Sequence, residues 1–561
     1  MIWVAAGLWP GGSFWEARTK RVVLGCRVVA YVRTVRTASG ARAVQIVHSQ
    51  RRGSRDIEHI GSAHTDADLE LLKAVARQRL AAGQGELDLR MPGSPANGGA
   101  ALPITSSRMG HLLDALARGY HALGFAAATG RDEVFQALVL ARIIEPTSKL
   151  DSLRVLTEAG MDPPSYRTVQ RRLRLYAGAD SDPADDPADD PADDRQTGQP
   201  APVDAAGGRW RARLAAACVD HAGLGAGLGP AMLLLYDVTT LYFETDAGDG
   251  FREPGFSKER RLEPQITVGL LTDAAGFPLM VHAFEGNKAE TTTMLPVLTA
   301  FLREHALPQA TVVADAGMIS EANKRAIEAA GLSFILGART PDIPYVVRDW
   351  RQQHSDTDIP DGHVFVQPWP AGPADKRRDH TFIYQYRADR ARRTQRGIDQ
   401  QIAKAENAVA GKTAIKRNRY VRLTGATKSI NRDLEAKNRA LAGIKGYVTN
   451  LPNPDPDHVI GAYSRLLNIE HSFRMSKSDL AARPIYHHTR ESIEAHLTIV
   501  FAALAVSRWI ENTTGWSIKK FVTTTRRYRT ITIQAGDHTI TAADPIPDEL
   551  HTALDAIHGT H

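Results

Sequence analysis

"MLLLYD" (residues 232–237) is the stretch on which the fold of this 561-residue chain turns. Five residues that favour burial run straight into an acid, as in a covered strand that ends at the rim of a sheet. Two more strands, "QITVGLLTD" (265–273) and "LMVHAFE" (279–285), come next, joined by Ala274-Ala275-Gly276. A helix is expected from Glu290 to about Glu304, then the strand "ATVVAD" (310–315), which again ends in an acid. A helix over 320–330 and the strand "SFILGA" (333–338) complete the succession. This is an α/β chain whose element order is that of a ribonuclease H-like sheet. Such folds host many chemistries, so function must be argued from particular residues.

Asp237 and Asp315 are the first of these. Strand ends in open α/β sheets face ligand crevices, so the two carboxylates can converge there. Either one alone is more simply a polar strand end. Together they resemble half of a metal site, because adjacent carboxylates repel unless a cation lies between them and hard divalent ions take oxygen ligands. A third carboxylate, from a helix, would complete a two-metal centre. The segment "YSRLLNIEHSFRMSKSDLAARPIYH" (463–487) offers one, Glu470, amid Tyr463, Arg465, Arg474, Lys477 and Arg483. At helical spacing Tyr463, Glu470 and Lys477 share a face, with Arg474 one turn beyond Glu470. Two readings are open: a solvated helix in which Glu470 pairs with Arg474, or a metal-holding carboxylate beside cations that hold phosphate.

The net charge of +6 is unevenly spread: residues 387–439 hold 15 Lys and Arg against 5 Asp and Glu. Such a block suits DNA, or else a solvated helical surface. The two cysteines, Cys26 and Cys218, lack metal-ligand spacing and fit a reducing interior. The apolar run "LTIVFAALAV" (497–506) is short for a membrane span and reads as a buried helix; no signal peptide is read at the start. Trp350 and Trp369 fit the core better than base stacking, and the adjacent His487 and His488 read as surface residues rather than zinc ligands.

Along the chain, residues 1–30 differ in character from the residues beyond them, which leaves room for a start downstream of position 1. A small N-terminal β/α module is expected over 31–90, its first 20 residues a hairpin around Ser39-Gly40. A helical region over 100–178 is a candidate DNA-binding region; its basic segment "SYRTVQRRLRLY" (165–176) is either a DNA-reading helix or an amphipathic core helix. Residues 179–208 form an acidic, Pro-rich linker around "DPADDPADDPADD" (182–194). Residues 230–340 make the first part of the core, 341–445 a basic insertion domain, 446–515 the second part with the Glu470 helix, and 516–561 a tail read as a β-hairpin.

Four ordered segments carry a family resemblance: "YDVTTLYFET" (236–245), "GFSKERRLEPQITVGLLTDAAGFPLMVHAFEGNKAE" (255–290), "VVADAGMIS" (312–320) and "IEHSFRMSKSDLAARPIYH" (469–487). The chain resembles the DDE transposases of bacterial insertion sequences that carry a Tyr-Arg-Glu-Lys signature, within the insertion sequence four superfamily and its sixteen-thirty-four subgroup. The resemblance implies Asp237, Asp315 and Glu470 as catalytic metal ligands, and Tyr463 and Lys477 as the signature Tyr and Lys. The signature Arg should stand at position 466, where this chain has Leu; Arg465 and Arg474 are neighbours able to replace it. Lys258 and Arg260 either line the DNA cleft or form a solvated basic loop. The resemblance further implies two Mg2+ ions per site, with Mn2+ as substitute. The substrate is double-stranded DNA, both the element's inverted repeats and the target, bound by a homodimer in the bacterial cytoplasm at the nucleoid, with no membrane partner. The implied chemistry is phosphodiester hydrolysis followed by attack of the freed 3′-hydroxyl. A catalytically silent end-binding relative and a metal-dependent nuclease of the same fold are the alternatives.

Overall fold

The structure, a computed structural model, describes residues 29–37, 41–49, 55–63, part of 68–80, 102–177, 210–224, 232–244, 247–255, 262–305, 310–318, 320–355, 357–368, 380–412, 418–424, 427–535 and 538–559. The linker tract 182–194 lies outside them. Met1–Ala101 and Leu102–His561 are two separate units. In the first, β1 (Val29–Arg36), β2 (Arg42–Ser49) and β3 (Arg55–Ala63) form an antiparallel sheet in that order. Val44 and Ile46, two residues apart and so on one face, are buried with Ala63, Leu69 and Ala76.

The second unit opens with β4 (Ile104–Arg108), where the sequence suggested helix from the start. Six helices follow: α1 (Gly110–Ala122), α2 (Phe125–Ala128), α3 (Glu133–Ile144), α4 (Lys149–Ala159), α5 (Tyr166–Ala177) and α6 (Trp210–His221). Next come β5 (Leu233–Tyr242), β6 (Gln265–Thr272), β7 (Pro278–Glu285), α7 (Met294–Glu304), β8 (Thr311–Ala314), α8 (Glu321–Ala329) and β9 (Ser333–Ala338). The 341–445 segment holds α9 (Tyr345–Gln353), β10 (Val364–Pro368), β11 (Thr381–Tyr386), α10 (Ala388–Val409), β12 (Val421–Thr424), β13 (Thr427–Ile430) and α11 (Arg432–Ala440). It leads into β14 (Ile444–Thr449), and β10, β11 and β14 extend the central sheet rather than standing apart from it. After β14 come α12 (Pro456–Ser464), α13 (Leu466–Ser478), α14 (Arg490–Thr514), α15 (Ile518–Thr525), β15 (Thr530–Ala535), β16 (His538–Ala543) and α16 (Asp548–His558). The tail is therefore a hairpin flanked by helices, and its β15 also pairs with β4.

The central sheet has eight strands in the order β10-β11-β14-β9-β8-β5-β6-β7. β6 runs antiparallel to both of its neighbours, β5 and β7, whereas β8 and β9 run parallel to β5. Every residue of β6 is buried, as expected for an interior strand covered on both faces. β5 does not stop at its acid. Val238, Thr239, Thr240, Leu241 and Tyr242 are β-branched, apolar or aromatic, and they keep the strand pairing with β6 to Tyr242. Asp237 thus lies in mid-strand, and Thr239, Thr240 and Tyr242 are strand rather than turn residues.

Helix α14 is the axis of the helical layer. The run 497–506 is one part of its 25 residues, a length and composition sufficient to cross a membrane. Here Ala495 to Arg508 are continuously buried, packed against α1, α3, α5 and α16. The basic helix α5 buries Val169, Leu173 and Tyr176 on α14 and leaves Arg167, Arg171 and Arg174 exposed. Its Arg172 turns inward to Asp132, which also accepts from Tyr176 Oη.

Candidate active site

Leu233 lies beside Thr311 and Leu235 beside Val313 across the parallel β5–β8 pair. Carried two residues further, that register sets Asp237 beside Asp315, the residue just past β8. Adjacent strands are about 4.8 Å apart, so the two carboxylates rise from neighbouring backbones. Asp237 is half-buried and Asp315 exposed. Because β8 ends at Ala314 while β5 continues, the pair sits where the sheet opens.

A break in the signature segment decides what meets them. Tyr463 lies one residue before the end of α12 and Glu470 lies in α13, with Arg465 at the junction, so the single helical face expected from the seven-residue spacing does not form. Two contacts on the β6–β7 turn fix α13: Asn468 Nδ2 donates to the Ala274 carbonyl at 2.9 Å, and Ser472 Oγ to that of Gly276 at 2.6 Å. Gly276 has φ +82°, and a Cβ there would meet the Asn468 carbonyl oxygen at 2.7 Å. Tyr463 turns inward. Its hydroxyl donates to Asp315 Oδ1 at 2.5 Å, and its ring packs edge-on to Tyr447 with centroids 5.0 Å apart. Burial first, and then this bond to a carboxylate, push the phenol well above its ordinary pKa.

Gly337 makes room for that approach, since a Cβ on it would stand 2.7 Å from the Tyr463 hydroxyl. Gly337→Ala is expected to displace Tyr463 from Asp315 and to cost about 1–3 kcal/mol, the usual penalty for overpacking. Thermal melting would register the loss, and an unchanged melting temperature would mean that the pocket yields freely.

Glu470 and Arg474 are both exposed, and neither makes a hydrogen bond or ion pair among the described residues. The salt-bridged helix is therefore not what this structure contains. Lys477 lies with Thr239 and Leu241 of β5 around a small cavity of about 30 Å³. Asp237, Thr239 and Leu241 share one face of β5 by the two-residue period, and α13 covers that face. Arg465 is exposed at the helix junction. Leu466, at the position of the signature Arg, is buried in the core, so no cation is offered from it.

Two residues that the sequence reading missed join the group. Lys445, on β14, places Nζ 4.2 Å from the Tyr463 ring centroid and 5.8 Å from that of Tyr447. Burial and then Arg390 lower its pKa, against the opposing charges of Asp315 and Glu470. A single Lys inside the apolar strand "IKGYVT" was the available signal. Glu290 also approaches, since a Cβ on Gly317, two residues past Asp315, would lie 3.4 Å from Glu290 Oε2.

Elsewhere, four of the five acids of the basic block are paired within it. Arg392 pairs with Asp389, Arg439 with Asp399, Arg432 with Glu406, and both Arg432 and Arg439 with Glu435. Arg393, Arg396, Lys404, Lys412, Arg422 and Lys428 stay exposed, without an ion pair among the described residues. Trp350 is packed rather than presented: it stacks on His354 at 4.4 Å and meets Phe365 edge-on. His487 is half-buried against Lys149 and not on the surface as expected, while His488 is exposed. Lys258, Arg260 and Trp369 lie outside the described residues.

Asp237 and Asp315 are hard oxygen donors side by side, which suits a divalent cation. Among the described residues no group of three or more His, Cys, Asp or Glu side chains is already gathered closely enough to hold a metal. Asp315 instead gives one oxygen to Tyr463.

Residues 229–506 match the family model described as "Transposase DDE domain". The matched stretch includes Asp237, Asp315 and Glu470, so this part of the chain is similar to the DDE domain of transposases. Among solved structures, the cryo-EM structure of a piggyBac transposase synaptic complex with hairpin DNA is similar at 11% identity and a TM-score of 0.33, over 74% of this chain and 70% of that one. No curated protein matches.

Proposed function

We propose that the protein is a DNA transposase of the Tyr-Arg-Glu-Lys group. It binds the ends of an insertion sequence, cleaves the phosphodiester backbone and joins the 3′ ends to target DNA. The observation that carries this reading is the register placing Asp237 beside Asp315 inside the matched domain. The order β7-β6-β5-β8-β9, three antiparallel strands and then two parallel to the first, supports a ribonuclease H-like core.

Asp237, Asp315 and Glu470 would hold divalent ions, Mg2+ or in its place Mn2+, which activate the attacking oxygen and stabilise the leaving one. Tyr463 orients Asp315 through its hydroxyl, and Lys445 contributes positive charge close to Asp315 and Glu470. Arg474 and Lys477, which follow Glu470 along α13, serve as phosphate contacts, with the exposed cations of the 387–439 block holding DNA further out.

The test is cleavage of a duplex carrying the element's end, with Mg2+ present. Glu470→Gln is expected to remove cleavage on the order of 10³-fold while DNA binding is kept or tightened, because a negative charge near phosphate has gone. Cleavage within tenfold of wild type would remove Glu470 from the active site. A wild type that binds the end without cutting it would favour the silent end-binding relative.

A further inference from the structure

Outside the site just described, a cavity of about 570 Å³ lies where α4, α5 and the start of α14 meet. Its charge balance is unusual. Lys149 is only 6% exposed, and Nζ donates to His487 Nε2 at 2.8 Å. Burial and then Arg142 push the Lys149 pKa down to about 7, while burial and then Lys149 push His487 down to about 3. The histidine is therefore a neutral acceptor, and no carboxylate figures among the charges acting on Lys149. Behind it Arg142, 7% exposed, has no hydrogen bond or ion pair among the described residues. A buried cation without an anion costs several kcal/mol in general, so an anion beside Arg142 and Lys149 would offset that cost and hold Lys149 in its charged form.

The backbone points the same way. Lys149 begins α4 after the cap Ser148, and Thr489 caps α14, so two helix N-termini open on the cavity. Arg174 reaches the rim from the exposed face of α5, which leaves Glu491 as the acid of the lining. Tyr166 and Tyr486, 39% and 65% exposed, stand beside the cations and offer faces to a base or sugar.

We propose that this cavity holds a backbone phosphate of the DNA being transposed, at a second site apart from the paired aspartates. This rests on the transposase reading above. Ile485 N–H donates to the Tyr242 carbonyl at 3.2 Å, which ties the segment bearing His487 to the end of β5. Tyr242 lies five residues past Asp237, roughly 16 Å along the strand. At 3.4 Å per nucleotide, a DNA strand engaged at Asp237 spans that distance in about five nucleotides. The cavity would then anchor the strand beside the cleavage point and fix its register.

The test follows thermal melting and DNA affinity in the full chain, using inorganic phosphate against chloride at matched ionic strength and an end-containing duplex. Wild type is expected to melt higher in phosphate. Lys149→Met should melt higher than wild type in chloride, because an uncompensated charge is gone, and should lose the phosphate effect. Its DNA affinity should fall about tenfold, with a salt slope shallower by about one. Arg174→Ala, on an exposed helix face, should blunt the phosphate effect without touching the core. A phosphate effect unchanged in both variants overturns the site. A phosphate effect lost with DNA affinity unchanged overturns DNA as its occupant. Wild type that binds no DNA overturns the transposase reading itself, while a Lys149-dependent phosphate effect in that protein would still support the anion site.

Discussion

Asp237→Asn and Asp315→Asn are each expected to lower Mg2+-dependent cleavage on the order of 10³-fold or more and to leave the fold intact. The asymmetry follows from what each carboxylate does locally. Asp237 Oδ1 accepts the Val238 N–H at 2.8 Å and Asp315 Oδ1 accepts from Tyr463, and an amide oxygen can accept both bonds. What the amide lacks is the negative charge that a divalent ion needs. Melting temperature and end binding should therefore stay near wild type while the cleaved fraction collapses. Either variant cutting at more than a tenth of the wild-type rate would show that its aspartate is an ordinary strand residue.

The second large effect concerns the outer DNA surface. Replacing Arg393, Arg396, Lys404 and Lys412 together by Gln is expected to weaken DNA binding on the order of 10³-fold near 0.1 M salt. Each lost phosphate contact removes about 0.9 from the slope of log affinity against log salt. These four are chosen because the acids around them are already paired, so their charge is available to solvent and to phosphate. The loss should be the same for end and unrelated sequences, because phosphates carry no base information. A salt slope equal to that of wild type would reduce the block to a solvated surface. By contrast Arg432 and Arg439, held by Glu406, Asp399 and Glu435, should matter mainly to the packing of α10 on α11.

The strands of the core were legible because apolar runs such as "MLLLY" and "ATVVA" require burial whatever their neighbours, and burial in a sheet is how a short run achieves it. What was not legible depended on partners distant in the chain. The extension of β5 through Tyr242 is decided by β6 pairing, not by local preference. The break at Arg465 exists because Asn468 and Ser472 clamp α13 to a turn nearly 200 residues earlier, and no periodicity within the segment shows that. Lys445 escaped notice for the same reason: its role appears only when β14 is laid beside β9 and Tyr463 fills the space over Gly337. The paired aspartates were the opposite case, since both residues and both strands announced themselves separately, and the parallel register needed only to bring them level.

The pairing of β4 with β15 has a consequence for how this protein is made. Ser106 and Ser107, at the entrance of the second unit, are matched to Thr532 and Ile531 near its exit, and Arg529 donates to the Ser107 and Glu158 carbonyls. A nascent chain must hold the edge of β4 open through more than 400 residues of synthesis before its partner strand emerges. Chains that stop early keep an unpaired strand edge, the form of backbone most prone to join another copy. A chain ending before Thr530 would lack the strand that covers this edge of β4.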